Sequence, residues 1–278
     1  MTQGGRMDLL VITAHCPDPD SKAADCDLAL PDPLSEGLSP EEQARADKFH
    51  FAADRIAYQL SHALLRQACA VLSGPEGARA WTPGQVPLSA TDKGAPIVAG
   101  QPGHPALAVS LAHARGLVAV AVAPSGPDGR VTRLGIDVER RTRRPVDRGL
   151  ARHAYAPEEA DALGVLAEAA FQEAFLLLWT AKEAACKLSG LGLQLGLARP
   201  RIQEPDGEVA CGWIEVVGDG PETGARWPFR RLASSDPRDV IAVAWDAAPN
   251  QGLGADISLH HHHISAADLQ KPEILPVL

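Results

Sequence analysis

Twenty-one consecutive residues, Glu168 to Leu188, contain neither glycine nor proline and are rich in Ala, Leu, Glu and Lys. These residues lose little on entering a helix, so the pattern predicts one long helix over 168–188. Gly190 and Gly192 follow and end it. At 100° per residue, Phe171, Ala174, Phe175, Leu178, Trp179, Ala185 and Cys186 share one broad arc, which is expected to face the core. Gln172, Thr180, Glu183 and Lys187 fall on a narrower polar arc. Glu183 and Lys187 stand four apart and are therefore neighbours along one ridge. Alone, such a pair reads as an ordinary surface ion pair. Lys182 is odder, because it sits in the middle of the apolar arc, where an ammonium must snorkel out or find a partner.

Some forty residues earlier, Val131 to Val138 is β-branched and alternating and predicts a strand. Alternation sends Ile136 and Val138 to one face and Asp137 and Glu139 to the other. Two carboxylates on one strand face repel by about 4 kcal/mol at ~4 Å with an effective dielectric of 20. If that face is half buried, a divalent cation relieves the repulsion, and adding Glu183 gives an all-oxygen set suited to Mg²⁺. A lone D-x-E pair reads instead as a solvated strand end.

Gly135-Ile-Asp137-Val-Glu139 followed by Trp179-Thr-Ala-Lys182-Glu183-Ala-Ala-Cys-Lys187, with Gly190-Leu-Gly-Leu193 just after, resembles the 4′-phosphopantetheinyl transferases of the larger, surfactin-synthetase-activating type. The signature of that family is a G-(I/V)-D-x-E strand and a (W/F)-(S/T)-x-K-E-(A/S)-x-x-K helix at about this separation. The resemblance covers the second half of the chain directly and the first half more loosely. It implies an α+β fold of two pseudo-symmetric halves, each a long helix packed on a small antiparallel sheet, with the active site between them. The halves are expected at residues 7–123 and 130–248. Pro124 to Gly129 forms the linker, and residues 249–278 are expected to be a flexible tail.

The same resemblance implies transfer of 4′-phosphopantetheine from coenzyme A to a serine of an apo carrier protein, with Mg²⁺ as cofactor and release of 3′,5′-ADP. Asp137, Glu139 and Glu183 would hold the metal, and Glu183 would act as base. Lys187 would neutralise or protonate the leaving phosphate, and Lys182 would orient the phosphates or Glu183. On the nucleotide side, Arg45 and Lys48 would grip the 3′-phosphate and His113 the diphosphate. Three positions depart from the family pattern there. Ala57 stands where an arginine is common, with Arg55 nearby as a substitute. Ala95 replaces the lysine of G-K-P, with Lys93 close by. Ala112 replaces the serine of F-N-(I/L)-S-H. These departures bear on coenzyme A affinity, and they motivate an alternative: a non-catalytic or weakly active homologue that binds carrier protein or coenzyme A.

A formal net charge of −9 argues against a general nucleic-acid binder. Against that background six arginines between 140 and 152 (140, 141, 143, 144, 148 and 152) are a local reversal, read as a solvated loop or as a docking surface for an acidic carrier domain. The five cysteines are odd in number and lack a C-x-x-C pair, which predicts reduced thiols and a cytoplasmic protein. The apolar run Leu9 to Ile12 is too short for a signal peptide and is expected as an edge strand, and no run reaches membrane-spanning length. Ser39-Pro40-Glu41-Glu42 predicts a capped helix start, with a break near Phe51 before the helix continues to Leu72. Val209–Val217, Ala225–Leu232 and Val240–Trp245 predict strands under the 168–188 helix. His260 to His263 reads as a metal tract or as part of the tail. A site completed within one chain is expected to work as a monomer.

Overall fold

The computed structural model describes residues 7–16, 30–74, 80–125, 131–142, 144–204, 210–247, 257–265 and 269. The expected lead (1–6), much of the turn-rich segment before Leu38, most of the linker, Arg143 and the rest of the tail lie outside the described residues.

The fold is α+β, with two sheets packed face to face and a long helix on the outside of each. The first sheet runs β11 (Ile257–Ile264), β1 (Met7–His15), β5 (Leu117–Ser125), β4 (Ala106–Ala114). The second runs β6 (Val131–Arg140), β10 (Asp239–Ala247), β9 (Arg226–Leu232), β8 (Cys211–Val216), β7 (Pro200–Gln203), and is antiparallel throughout. Three of these are the strands expected under the long helix. A hairpin of β2 (Leu88–Ala90) and β3 (Pro96–Val98) stands apart. Its turn needs Gly94 at φ +82°.

Side-chain size decides which face of β5 meets which neighbour. Val118, Val120 and Val122 join Leu60 and Leu64 of helix α3 (Ala52–Leu72) in one core cluster. Ala119, Ala121 and Ala123 face the second sheet, packing with Ile136, Val138, Ile241 and Val243. The alanines let the two sheets approach, and the Ile136 N–H donates to Ser110 Oγ across the seam at 3.1 Å. On the far side of the second sheet, Ala181, Ala184, Ala185 and Leu188 of helix α6 (Glu168–Leu188) pack on Ile214, Trp227, Phe229, Ala242 and Ala244. The helix has the bounds its composition predicts.

Two expectations are corrected. Leu9 to Ile12 do not form an edge strand: β1 lies between β5 and β11, and all four residues are buried. Residues 257–264, expected within a flexible tail, form β11, which pairs in parallel with β1 from Met7↔Ile257 to Ala14↔Ile264. The first sheet is therefore mixed and not purely antiparallel. Polarity misled here, because histidines serve this strand as half-buried neighbours. Thr13 Oγ1 lies 3.0 Å from both His261 Nε2 and His263 Nδ1.

Helix α1 (Asp32–Ser35) precedes α2 (Pro40–Ala46), which carries the expected capping box: Glu42 N–H donates to Ser39 Oγ and Ser39 N–H donates to Glu42 Oε2. The break before α3 falls at residues 47–51. Two short helices, α4 (Arg148–Ala154) and α5 (Pro157–Gly164), lead into α6. Cys69 and Cys186 are buried free thiols. Among the described residues no helix is long and apolar enough to cross a membrane.

Candidate active site

Gly135 fixes the height of α6 above β6. A Cβ at this position would lie 1.9 Å from Ala184 O and 2.6 Å from Leu188 N, so only glycine lets the helix backbone rest directly on the strand. That contact sets the next turn of α6 over the next residues of β6. Ile136 and Val138 point into the inter-sheet core, as alternation requires, and Asp137 and Glu139 point toward α6. Lys187 Nζ donates to Asp137 Oδ1 at 2.8 Å. Asp137 is buried and its other oxygen, Oδ2, has no partner.

Three carboxylates lie close here, and burial is the first cause that raises the proton affinity of each. Burial, followed by the charges of Asp137 and Glu183, pushes Glu139 up to about 7, while Lys187 and a hydrogen bond from the Trp179 side chain oppose the rise. Glu183 is raised by burial and then by Asp137, with Lys187 opposing. Asp137 is raised by burial, against the pull of the Lys187 ammonium. An orphaned buried oxygen beside mutually repelling carboxylates fits a hard divalent cation that takes oxygen ligands. The three carboxylates do not yet converge on a point. Among the described residues the tightest ligand-capable group is elsewhere: His15, Asp236 and Asp239, with ligand atoms within 4.8 Å of one another. Arg140 already pairs with both of those aspartates.

A recess of about 730 Å³ opens beside the site. Its walls come from α2, the first turns of α3, the β2–β3 hairpin and β4, and include Arg45, Asp54, Tyr58, Gly94, Pro96 and His113. His113 links it to the carboxylates, because its pKa is lowered by burial and then by Lys187, while Asp54 and Asp137 pull the other way. Arg45 lies over the Tyr58 ring, 5.6 Å from its centroid. Lys48 is exposed, Arg55 is half-buried and neither lines the recess. Lys93 donates to Gln194 Oε1 at 2.8 Å and so ties the hairpin to the turn after α6. The structure thus brings Arg45 and His113 to one cavity and leaves Lys48, Arg55 and Lys93 at its margins.

Lys182 has its partner, but not at the carboxylates. It is fully buried, and its Nζ donates to Glu159 Oε2 (2.9 Å), Leu197 O (3.0 Å) and Pro200 O. The Tyr155 ring lies 5.4 Å away, and the Tyr155 hydroxyl donates to Phe175 O. These contacts pin α6 to α5 and to the start of β7. Reading the sequence also missed the Trp179 bond to Glu139, since its place on the apolar arc marks Trp179 as core. The arginine cluster is partly internal. Arg140 pairs with Asp236 and Asp239, Arg141 with Glu173, and Arg148 with Glu168 and the carbonyls of Leu163, Gly164 and Leu166. Arg144 and Arg152 are exposed.

Residues 133–221, which hold the carboxylate strand and all of α6, match the 4′-phosphopantetheinyl transferase superfamily. Over 194 residues the chain is 30% identical to the 4′-phosphopantetheinyl transferase HetI of Nostoc sp. (strain PCC 7120), which covers 67% of this chain and 76% of that protein. The chain belongs to the 4′-phosphopantetheinyl transferase superfamily. It is a transferase, and phosphopantetheine is the group it moves. Within that superfamily the matched segment begins just before Gly135, so the strand and helix that meet at backbone contact fall inside it, and the recess of the first half falls outside it.

Proposed function

We propose that this transferase moves 4′-phosphopantetheine from coenzyme A to a serine hydroxyl of an apo acyl or peptidyl carrier protein and releases 3′,5′-ADP. We place it in the larger, surfactin-synthetase-activating type, a cytoplasmic monomer whose two halves are related by pseudo-symmetry. The observation that carries the reading is the meeting of Asp137, Glu139, Glu183 and Lys187 on β6 and α6, with His113 connecting them to the adjoining recess.

Asp137, Glu139 and Glu183 would hold Mg²⁺, and Asp137 Oδ2 is the oxygen left free for it. When bound, the ion offsets the charge of the diphosphate and stabilises the charge that develops on it. Glu183 is the base for the serine proton, since a carboxylate with a raised pKa accepts a proton more readily near neutral pH. Lys187, one turn further along α6, neutralises the leaving phosphate. His113 and Arg45 bind the diphosphate and nucleotide from the recess, with Lys48, Arg55 and Lys93 reaching in from its rim. Lys182 positions α6 from behind, and through it Glu183. Arg144 and Arg152 remain free to receive an acidic carrier domain.

A weakly active or non-catalytic homologue is favoured by one observation. Ala57 and Ala112 are buried in the core, so the contacts absent at those positions are not restored by a small local shift. Intact mass of an apo carrier protein, measured after incubation with this protein, coenzyme A and Mg²⁺, separates the readings. Gain of one phosphopantetheine is the expected result, and an unmodified carrier supports the homologue.

A further inference from the structure

Strand β6 is an edge strand of the second sheet. Near its end Asp137 and Glu139 carry charges that act against each other and against Glu183 on α6. Such repulsion pushes the end of the strand away from the helix unless a contact beyond the carboxylates ties the two together. Arg141 supplies that contact. Its Nε donates to Glu173 Oε2 at 2.6 Å and its Nη2 to Glu173 Oε1, a two-pronged bond from the end of β6 to the N-terminal part of α6. Its Nη1 donates to Pro237 O at 2.6 Å and to Asp239 O at 3.1 Å, and its backbone N–H to Arg238 O. A guanidinium held from both sides is a strut and not a mobile surface charge. The same bond holds the Glu173 carboxyl below its ordinary range, so the pair stays charged. Arg140, one residue earlier, pairs instead with Asp236 and Asp239.

The strut is aligned with the site. Along the strand, Gly135 meets Ala184 and Leu188, Asp137 meets Lys187, Glu139 meets Trp179 and Arg141 meets Glu173. Helix numbers fall as strand numbers rise, so the two elements run antiparallel and the carboxylates lie between two fixed points. The strand from Gly135 to Arg141 spans about 20 Å and the helix from Glu173 to Ala184 about 17 Å, so straight elements satisfy both points at once.

We propose that Arg141 and Glu173 are positioning residues for the metal-binding carboxylates: their bridge holds α6 over the end of β6, so that Glu139 and Glu183 stay within reach of one ion. The inference rests on the metal reading of Asp137, Glu139 and Glu183. Charge alone predicts the opposite sign for Arg141, because a nearby arginine repels a dication and its removal would tighten binding. Loss of position weakens it.

The probe is Mn²⁺, which suits the same oxygen ligands, titrated into the full chain with the free ion read by electron paramagnetic resonance. Arg141→Gln should weaken binding at least about threefold, the scale of one partly exposed ion pair. A smaller loss, or a gain, overturns the proposal. Glu173→Gln should weaken binding to a similar degree, and the double variant should bind no more weakly than the weaker single, since one bridge is broken once. Losses that multiply overturn the pairing. With Mg²⁺ saturating, kcat for carrier modification should stay within about twofold of the parent, the cost appearing in the Mg²⁺ concentration required. A kcat loss that Mg²⁺ does not recover overturns the positioning role. A parent protein that binds no Mn²⁺, or an Asp137→Asn variant that binds it as the parent does, overturns the metal reading itself and the inference with it.

Discussion

In the second half of the molecule Asp137, Glu139, Glu183 and Lys187 stand on a strand and a helix that touch backbone to backbone at Gly135 and Ala184. In the first half, the recess is lined by two helices, a hairpin and a strand, and Arg45 in that lining is exposed. One region fixes the direction of each carboxylate to a fraction of a side chain's length, while the other offers a volume. Preorganised charges matter most where bonds change, and a volume suffices to hold a nucleotide.

The sharpest way to break this contrast is Glu183→Gln. It removes the proposed base and one proposed metal oxygen and should cut turnover by about 10²–10⁴-fold, read as the rate of carrier modification. Turnover near that of the parent protein would move the base elsewhere. Next comes Lys182→Met, which keeps the volume but leaves Glu159 and the carbonyls of Leu197 and Pro200 short of a donor. Urea unfolding should show a loss of about 3 kcal/mol, as when one partner of a buried pair is removed. The folded variant should keep most of its kcat. Unchanged stability with collapsed kcat would return Lys182 to the phosphates.

The third test concerns the metal-free protein. Glu139 is held up to about 7, against an ordinary value of 4.5, so between those values the folded state binds a proton that the unfolded chain has released. Stability should therefore fall as pH rises from about 4.5 to about 7. Glu139→Gln should flatten that slope and raise stability at neutral pH by about 2 kcal/mol, measured in chelator. A slope that persists in the variant would assign it to other groups. The smallest effect is expected in the recess. Arg45→Ala should raise the KM for coenzyme A by less than about tenfold with kcat intact, as for one exposed contact. A change as large as that of Glu183→Gln would show both regions to be equally exacting.

How much of this could be read in advance follows the same division. Helix α6 was legible to the residue, because composition, periodicity and the glycines after it all agree. The facing of Asp137 and Glu139 was legible from alternation alone. The destination of Lys182 was not. Its place on the apolar arc showed that it needed a partner, but Glu159 and the carbonyls of Leu197 and Pro200 meet it only through the packing of α5 and β7. Arg148 is a similar case: it counts as positive charge in a sequence window, yet in the fold it donates to carbonyls at and just past the end of α5. Residues 257–264 failed for a different reason. Four histidines look like a solvated tract, and nothing local announces a parallel partner so distant in the chain.

That pairing has a consequence for how the molecule is made. Strand β1 is among the first described segments to be synthesised and β11 the last, yet the two are neighbours. Until β11 arrives, one flank of a strand with the apolar run Leu9 to Ile12 at its centre presents unpaired amide and carbonyl groups, a template for any other extended chain. A contact so remote in sequence also forms slowly. The nascent protein therefore passes through a stage in which its earliest strand is half finished. A fragment ending at Ala247 would remain in that stage, open along β1 and prone to join its own kind.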